Sequence, residues 1–418
     1  MENWYLPNGL VYRESHLKRE SVLILDGHVV AFGDKADELR SDSLGEVKDF
    51  DAKNKIVSRG FVDLHVHLRE PGFETKETIL TGTQGAAYGG FTNICAMPNT
   101  NPPLDTVERL LDLRDRIAKT AQVKVHPIAT LTKNRQGQDM INYAAFGEKG
   151  VFLFSDDGDP LEQHIARKVF QEVQKVGGIL INHLEDKSLI QEGFFYEQIP
   201  PESEYLMLKR DLKLVRETGC RYHAAHLSCA EAVELIAQAK AQGLPVTAEV
   251  TPHHLTLTYE DIKEPKGHFQ MKAPLRTEWD RKALVDGLRT GVIDCVATDH
   301  APHGREKEHG LYEGSPFGVT GLETAFPVLY TNLVLTKQLS LERLLTSLTS
   351  APAQLLGVTP ELSLGAEADL VVLDLNRIKM VGVDGFRSKG TNSPYTGQFL
   401  QGWPVLTLVD GEECYSWK

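Results

Sequence analysis

Between Val57 and Thr298 the chain sets eight short apolar runs in series: Val57–Leu68, Thr92–Met97, Val123–Leu131, Val151–Ser155, Ile179–Leu184, Tyr222–Leu227, Val246–Val250 and Ile293–Thr298. Apolar runs of this kind read as strands. Segments of helical periodicity separate most of them: Thr75–Tyr88, Val107–Thr120, Leu161–Val176, Tyr205–Thr218, Ala230–Ala241 and Glu278–Arg289, with Leu322–Leu333 after the last strand. The connection after the third strand has the weakest helical pattern. Strands alternating with helices pair in parallel, because each crossover has to accommodate a helix. Eight such units, with no Gly-rich dinucleotide-binding turn after the first, predict a closed (β/α)8 TIM barrel rather than an open doubly wound sheet.

The two ends read differently. Val22–Leu25 and Val29–Phe32 flank Asp26-Gly27-His28, and Val405–Val409 runs into Asp410-Gly411. Asp-Gly after an apolar run is a hairpin signal, since Gly accepts positive φ in a tight turn. Asp369–Asp374 is a further strand. Neither end has enough strands for a stable sheet alone. The expectation is one small β domain composed of both termini: residues 1–57 and 361–418 around a catalytic barrel over 58–360.

Composition bounds the function. A chain of 418 residues that is 41% hydrophobic can build a large soluble core. A net charge of −13 without a concentrated basic patch argues against nucleic acid or an anionic membrane as partner. Five cysteines, none in a Cys-x-x-Cys pair, read as reduced thiols and not as a disulfide framework or thiolate zinc site. No signal peptide and no apolar stretch of ~20 residues is evident, so the expected location is the cytoplasm.

The polar residues gather at the strands' C-terminal ends, where a barrel carries its chemistry. In Asp63-Leu64-His65-Val66-His67-Leu68-Arg69, period two sends His65, His67 and Arg69 to one face. Two imidazoles so spaced can grip one metal ion, and Arg69 suits a carboxylate. The second strand ends in Met97-Pro98-Asn99-Thr100, where Asn99 can donate and accept. The fourth ends Ser155-Asp156-Asp157-Gly158. A helix cap explains at most one of those carboxylates, and metal ligation explains the other. The fifth ends with His183 and the sixth with His223 and His226. Those two differ in parity, so His226 is the ligand candidate and His223 a structural residue. The eighth ends Thr298-Asp299-His300-Ala301-Pro302-His303; Asp299 can ligate and accept a proton, and His303 can reach back over the mouth. His65, His67, Asp157, His183, His226 and Asp299 form a nitrogen and oxygen donor set without thiolate. Such a set suits catalytic zinc, and six ligands with one shared carboxylate suit two ions that acidify a water.

This constellation resembles the amidohydrolase superfamily. Asp63–Gly72, Met97–Thr100 and Ala297–His303 resemble class I dihydroorotase, as does Asp156-Asp157-Gly158, where other relatives carry a carbamylated lysine. The resemblance implies a zinc-dependent cyclic amidohydrolase interconverting carbamoyl aspartate and dihydroorotate in pyrimidine synthesis. It implies that His65 and His67 bind one zinc and His183 and His226 the other. Asp157 would bridge them, with Asp156 as the alternative, and Asp299 would ligate the first zinc and shuttle the proton. Arg69, Asn99 and His303 would hold the substrate carboxylate, and the backbone of Phe317-Gly318 the ring. The substrate is small; the resemblance leaves open a homodimer and association with aspartate transcarbamoylase.

One loop departs from that pattern. Met271-Lys272-Ala273-Pro274-Leu275-Arg276 has Lys272-Ala273 where the family usually has Asn-Pro. Lys272 then either pairs with the anionic substrate or swings out to solvent. In the first case its loss should raise KM more than it lowers kcat, with Lys272→Asn recovering part. The charged segment from Gly304 to Ser315 reads as a lid over the mouth. Two other readings share the barrel. A hydantoinase or allantoinase would differ in the Arg69–Asn99 anchor, and an inactive barrel binding a partner subunit should have lost ligands that are all present here.

Overall fold

The computed structural model describes residues 2–42, 46–191, 198–262, 267–304 and 315–417. Its centre is a ring of parallel strands. Phe61–Val66, Phe91–Ala96 and Lys124–Pro127 pair in sequence order. So do Leu153–Phe154, Ile179–Asn182, Arg221–Ala224, Val246–Val250 and Cys295–Val296. Two seams close the ring: Ala129 bridges to Phe154, and Val66 bridges to His300. At the second seam the His67 N–H donates to the His300 carbonyl at 2.9 Å. The eight strands are thus the expected barrel.

The run Val57–Leu68, expected as one strand, is two. Ile56–Arg59 pairs with Leu10-Val11 and with Leu370–Leu373, while Phe61–Val66 belongs to the barrel. Gly60 is the joint: a Cβ there would stand 2.1 Å from Thr92 Cγ2. The regular alternation begins only at Val62, beyond the joint.

Strands from both termini share one sheet. Its order is Glu412–Ser416, Phe399–Val409, Leu370–Met380, Ile56–Arg59, Trp4–Arg13, His16–Leu25 and His28–Phe32, with Lys48-Asp49 beside Trp4–Arg13. Both Asp-Gly turns are hairpins with left-handed residues, at φ 49° and 76° for Asp26 and Gly27 and 50° and 78° for Asp410 and Gly411. That is the turn that matches strand twist.

Helices Val107–Thr120 and Ala230–Ala241 run as the periodicity predicts. Others shift at their starts for local reasons. Ile79–Tyr88 begins after Thr78, whose hydroxyl accepts from the Thr81 N–H, and Pro201–Thr218 begins on a proline, which has no N–H in need of an acceptor. The last expected helix is Ala325–Leu329 followed by a wider turn over Tyr330–Val334. A short helix, Tyr143–Gly147, fills the weak connection after the third strand. No helix among the described residues is long and apolar enough to cross a membrane.

Helix Gln163–Lys175 shows how the outer layer locks to the ring. Ile165, Val169, Phe170 and Val173 form its buried face, and Phe170 stacks on Tyr222 of the sixth strand at 5.8 Å. Tyr222 donates to Asp211 at 2.9 Å, as does Asn182 at 2.7 Å, so the fifth and sixth strands are pinned to one helix carboxylate. Phe170→Ala is expected to cost about 3–5 kcal/mol by opening a cavity at this contact. Thermal unfolding should show a lowered midpoint; an unchanged one would mean that the layer collapses freely.

Candidate active site

Strand ends bring four imidazoles and two carboxylates to one point at the barrel mouth, all buried. Asp157 is at the centre. Its Oδ1 lies 3.3 Å from His65 Nε2, 3.7 Å from His183 Nδ1 and 4.0 Å from His226 Nε2, and its Oδ2 lies 3.5 Å from His67 Nε2. Asp299 Oδ1 is 3.0 Å from His67 Nε2 and 3.5 Å from His65 Nε2. His183 Nδ1 and His226 Nε2 approach to 2.9 Å. His226 and Asp299 sit at φ 30° and 47°, where the chain leaves its strand sharply. Such strained residues gather at functional sites. Burial alone would raise the carboxyl pKa values, but His65, His67 and His183 hold Asp157 well below the usual range, and His65, His67 and His226 do the same for Asp299. Burial, with His183 and His65 nearby, takes His226 down to about 4.

Asp156 turns away. Its Oδ1 accepts from the backbone of Leu131 at 2.7 Å and Thr132 at 3.1 Å, and its Oδ2 from the Thr132 hydroxyl. It ties the loop after the third strand, and its neighbour faces the site.

A second layer fixes which nitrogen each ligand presents. His65 Nδ1 and His223 Nε2 both contact Glu249, at 2.8 Å and 3.0 Å. Glu249 stays ionised near a pKa of about 2: burial opposes this, but His223 and His65 outweigh it. The expectation that His223 and His226 face apart fails here. Their strand ends at Ala224, so alternation no longer governs His226: its ring lies 5.1 Å from that of His65, and its backbone N–H donates to the same Glu249 carboxylate at 3.3 Å. His67 Nδ1 lies 2.9 Å from Asn99 Oδ1, and the Asn99 amide donates to Asp157 at 3.4 Å. Asp63 accepts from the backbone N–H groups of His65 and Thr298 and from the Thr298 hydroxyl, joining the first and eighth strands. His300 contacts Glu77 at 3.4 Å and accepts from the Gly321 N–H, outside the cluster. Glu249 escaped the sequence reading, although a lone carboxylate within an apolar strand is itself a sign of a buried partner.

The facing wall is cationic. Arg69, at φ 61°, has Nη2 3.5 Å from His303 Nε2, and its Nε donates to the Pro302 carbonyl at 3.4 Å. Burial brings its pKa to about 10, so it remains charged at neutral pH. His303 Nε2 is 2.6 Å from the Phe317 carbonyl, and Lys76 donates to its Nδ1 at 3.2 Å. Lys272 does not swing out to solvent: it lines the cavity, already paired with a buried carboxylate. Its Nζ donates to Glu185 at 2.9 Å and stands 5.0 Å from the centre of the Phe317 ring. A buried carboxylate at the fifth strand end claims the ammonium. Between wall and cluster lies a cavity of about 130 Å³, lined by His67, Arg69, Asn99, Lys272, Phe317 and Gly318 among others. Most of the expected lid, residues 305–314, lies outside the described residues.

The donor set fits metal. His65 Nε2 is buried without a hydrogen-bond partner yet aims at two carboxylates. His65, Asp157 and His226 form one group whose ligand atoms lie within 4.8 Å of one another, and His65, His67 and Asp299 form another. A larger cavity of about 600 Å³ opens at the other end of the strands, near Arg114, His126 and Arg221, but no carboxylate lines it.

Residues 54–232 match the family model described as dihydro-orotase-like. The chain is 42% identical to a dihydroorotase of Geobacillus sp. (strain WCH70), over 97% of each chain. It is 41% identical to a dihydroorotase of Listeria innocua, over 99% of each. Among solved structures, an L-hydantoinase (dihydropyrimidinase) from Arthrobacter aurescens superposes with a TM-score of 0.91 at 29% identity, covering 100% of this chain and 96% of that one. A dihydropyrimidinase from Brevibacillus agri, at TM-score 0.86 and 21% identity over 98% of this chain and 94% of that one, shares the fold.

The two adjacent aspartates should separate experimentally. Asp157→Asn is expected to lose most bound metal. Asp156→Asn should keep it while costing about 1–3 kcal/mol, because the amide cannot satisfy all three donors. Metal analysis and unfolding of both variants check this; equal metal loss would contradict the division of roles.

Proposed function

The chain belongs to the dihydroorotase family, and from that premise we propose that it catalyses the reversible cyclisation of N-carbamoyl-L-aspartate to (S)-dihydroorotate in pyrimidine synthesis. The observation that carries this reading is the opposition of Arg69, a buried cation, to the histidine–aspartate cluster across one small cavity. A cyclic imide with a carboxylate substituent needs both: an anchor for the anion and an electrophilic centre for the carbonyl.

We assign His65, His67, Asp157, His183, His226 and Asp299 as ligands of two zinc ions, with Asp157 shared. The chemistry supplied by such a pair when bound is Lewis acidity toward a carbonyl and toward water. The protein's own groups do the rest. Arg69, Asn99 and His303 hold the substrate carboxylate, and the backbone of Phe317 and Gly318 meets the ring. A water oxygen adds to the ring carbonyl, and Asp299 takes its proton on a carboxylate oxygen. As the C–N bond breaks, Asp299 returns that proton to the leaving nitrogen. Cyclisation is the reverse. Glu249 and Asn99 support His65 and His67 so that Nε2 of each is free to ligate.

Hydantoin turnover is the second reading, favoured by the likeness to L-hydantoinase. Arg69 weighs against it, since an unsubstituted hydantoin offers no carboxylate to anchor. Purified enzyme assayed on both substrates decides between them. Dihydroorotate is expected to be turned over at least a hundredfold more efficiently; the opposite ratio would favour hydantoin.

Two further outcomes follow from the assigned roles. Enzyme purified without chelator should carry about two zinc ions per chain and lose activity when they are stripped; full activity without metal would sink the assignment. Asp299→Asn should lower kcat by several orders of magnitude while the His183–His226 ion stays bound, since an amide cannot accept the proton. A near-normal rate would remove Asp299 from the proton path.

A further inference from the structure

Beyond its histidine, the segment that leaves the fifth barrel strand brings a second polar side chain to the mouth: Glu185, in Asn182-His183-Leu184-Glu185. Glu185 is only 3% exposed. One of its oxygens lies 3.7 Å from His183 Nε2, and the other accepts from Lys272 Nζ at 2.9 Å. Lys272 arrives from a loop 87 residues further on and lies against the Phe317 ring, on the wall of the substrate cavity.

A carboxylate this buried is costly unless a cation balances it. With Lys272 as that cation, His183 needs only to turn its Nε2 edge toward Glu185. Its Nδ1 then faces Asp157 and His226, the orientation a ligand requires. The same balance matters to the substrate. An unpaired carboxylate beside the cavity would repel an anion that Arg69 attracts.

We propose that Glu185 and Lys272 act as one charge-compensated positioning unit: Glu185 orients His183, and Lys272 cancels the charge of Glu185 at the cavity wall. Lys272 is therefore committed to the protein and is not a direct ligand of the substrate. The substrate arm of this proposal rests on the dihydroorotase reading; the metal arm does not.

The test is Lys272→Asn, Glu185→Gln and the double variant, each measured for KM and kcat with dihydroorotate and for metal retention against increasing chelator. Lys272→Asn should raise KM roughly tenfold with kcat little changed, because Glu185 is left uncompensated, and metal retention should not fall. Glu185→Gln should lose metal at roughly tenfold lower chelator. The double variant should return KM to within about threefold of the parent while keeping the metal defect, since both charges are gone. Glu185→Asp keeps the charge but shortens the reach. It should preserve KM and weaken metal retention, and it serves if the glutamine variant fails to fold. A double variant with the KM of Lys272→Asn alone would mean that Lys272 contacts the substrate directly and would overturn the proposal. Unchanged metal retention in both Glu185 variants would remove its role toward His183. Should the parent enzyme leave dihydroorotate untouched, the substrate reading fails, and the chelator titration still tests the pair.

Discussion

Asp157 and Asp299 carry negative charge inside a barrel mouth where water is nearly excluded. Each buried carboxylate would cost several kcal/mol if left alone. Four imidazoles crowd around them, and their far nitrogens in turn need partners. His65 turns to Glu249, His67 to Asn99 and His183 to Glu185. Glu249 is balanced by His223 as well, and Glu185 by Lys272. The charges thus alternate outward in shells until they meet backbone amides or half-exposed lysine. Most strands of the ring contribute to some shell, so the arrangement that creates the site also couples the strands to one another.

The segment that follows the strand Leu370–Met380 completes the substrate wall. Asn392 accepts from the His303 N–H at 3.0 Å, and its amide donates to the carbonyls of Ala301 and Gly318 at 3.2 and 3.0 Å. It joins the end of the eighth strand to the stretch carrying Phe317. Gly318 must be small there: at φ 128°, a Cβ would stand 2.6 Å from Ala301 Cβ. Glu323 accepts from the backbone of Arg387 and Ser388, and Glu77 from the Lys389 N–H, which anchor the same segment to the barrel. A connection between two strands of the terminal sheet therefore borders the site.

Likeness of backbone to an L-hydantoinase and likeness of sequence to dihydroorotases are compatible findings. A histidine–aspartate cluster on a barrel can serve any cyclic amide, since it addresses the carbonyl that such substrates share. On the proposed reading, discrimination belongs to the opposite wall, where Arg69, His303 and Phe317 face the cavity. That wall draws on loops after several strands, which vary with less consequence for the barrel than the strands themselves.

Much of this was legible in the residues. Period two exposed the strands, period 3.6 the helices, and the chemistry of His65, His67, His183, His226 and Asp299 stood out because each ends an apolar run. Those are local signals, and local geometry obeys them: Val107–Thr120 and Ala230–Ala241 run as read. The tertiary structure alone decided the rest. Asp156 and Asp157 are chemically identical neighbours, distinguished by the Leu131 and Thr132 groups that hold one and the histidines that surround the other. Gly60 divides the run Val57–Leu68 into strands of two different sheets, and Thr92 stands against it. Lys272 lines the cavity and does not face solvent, held there by a buried carboxylate 87 residues away. Sequence determines where charged groups enter the interior, through the period of the chain that carries them. Which opposite charge each one meets depends on long-range folding, because burial makes that pairing obligatory while leaving the partner's position in the chain unconstrained.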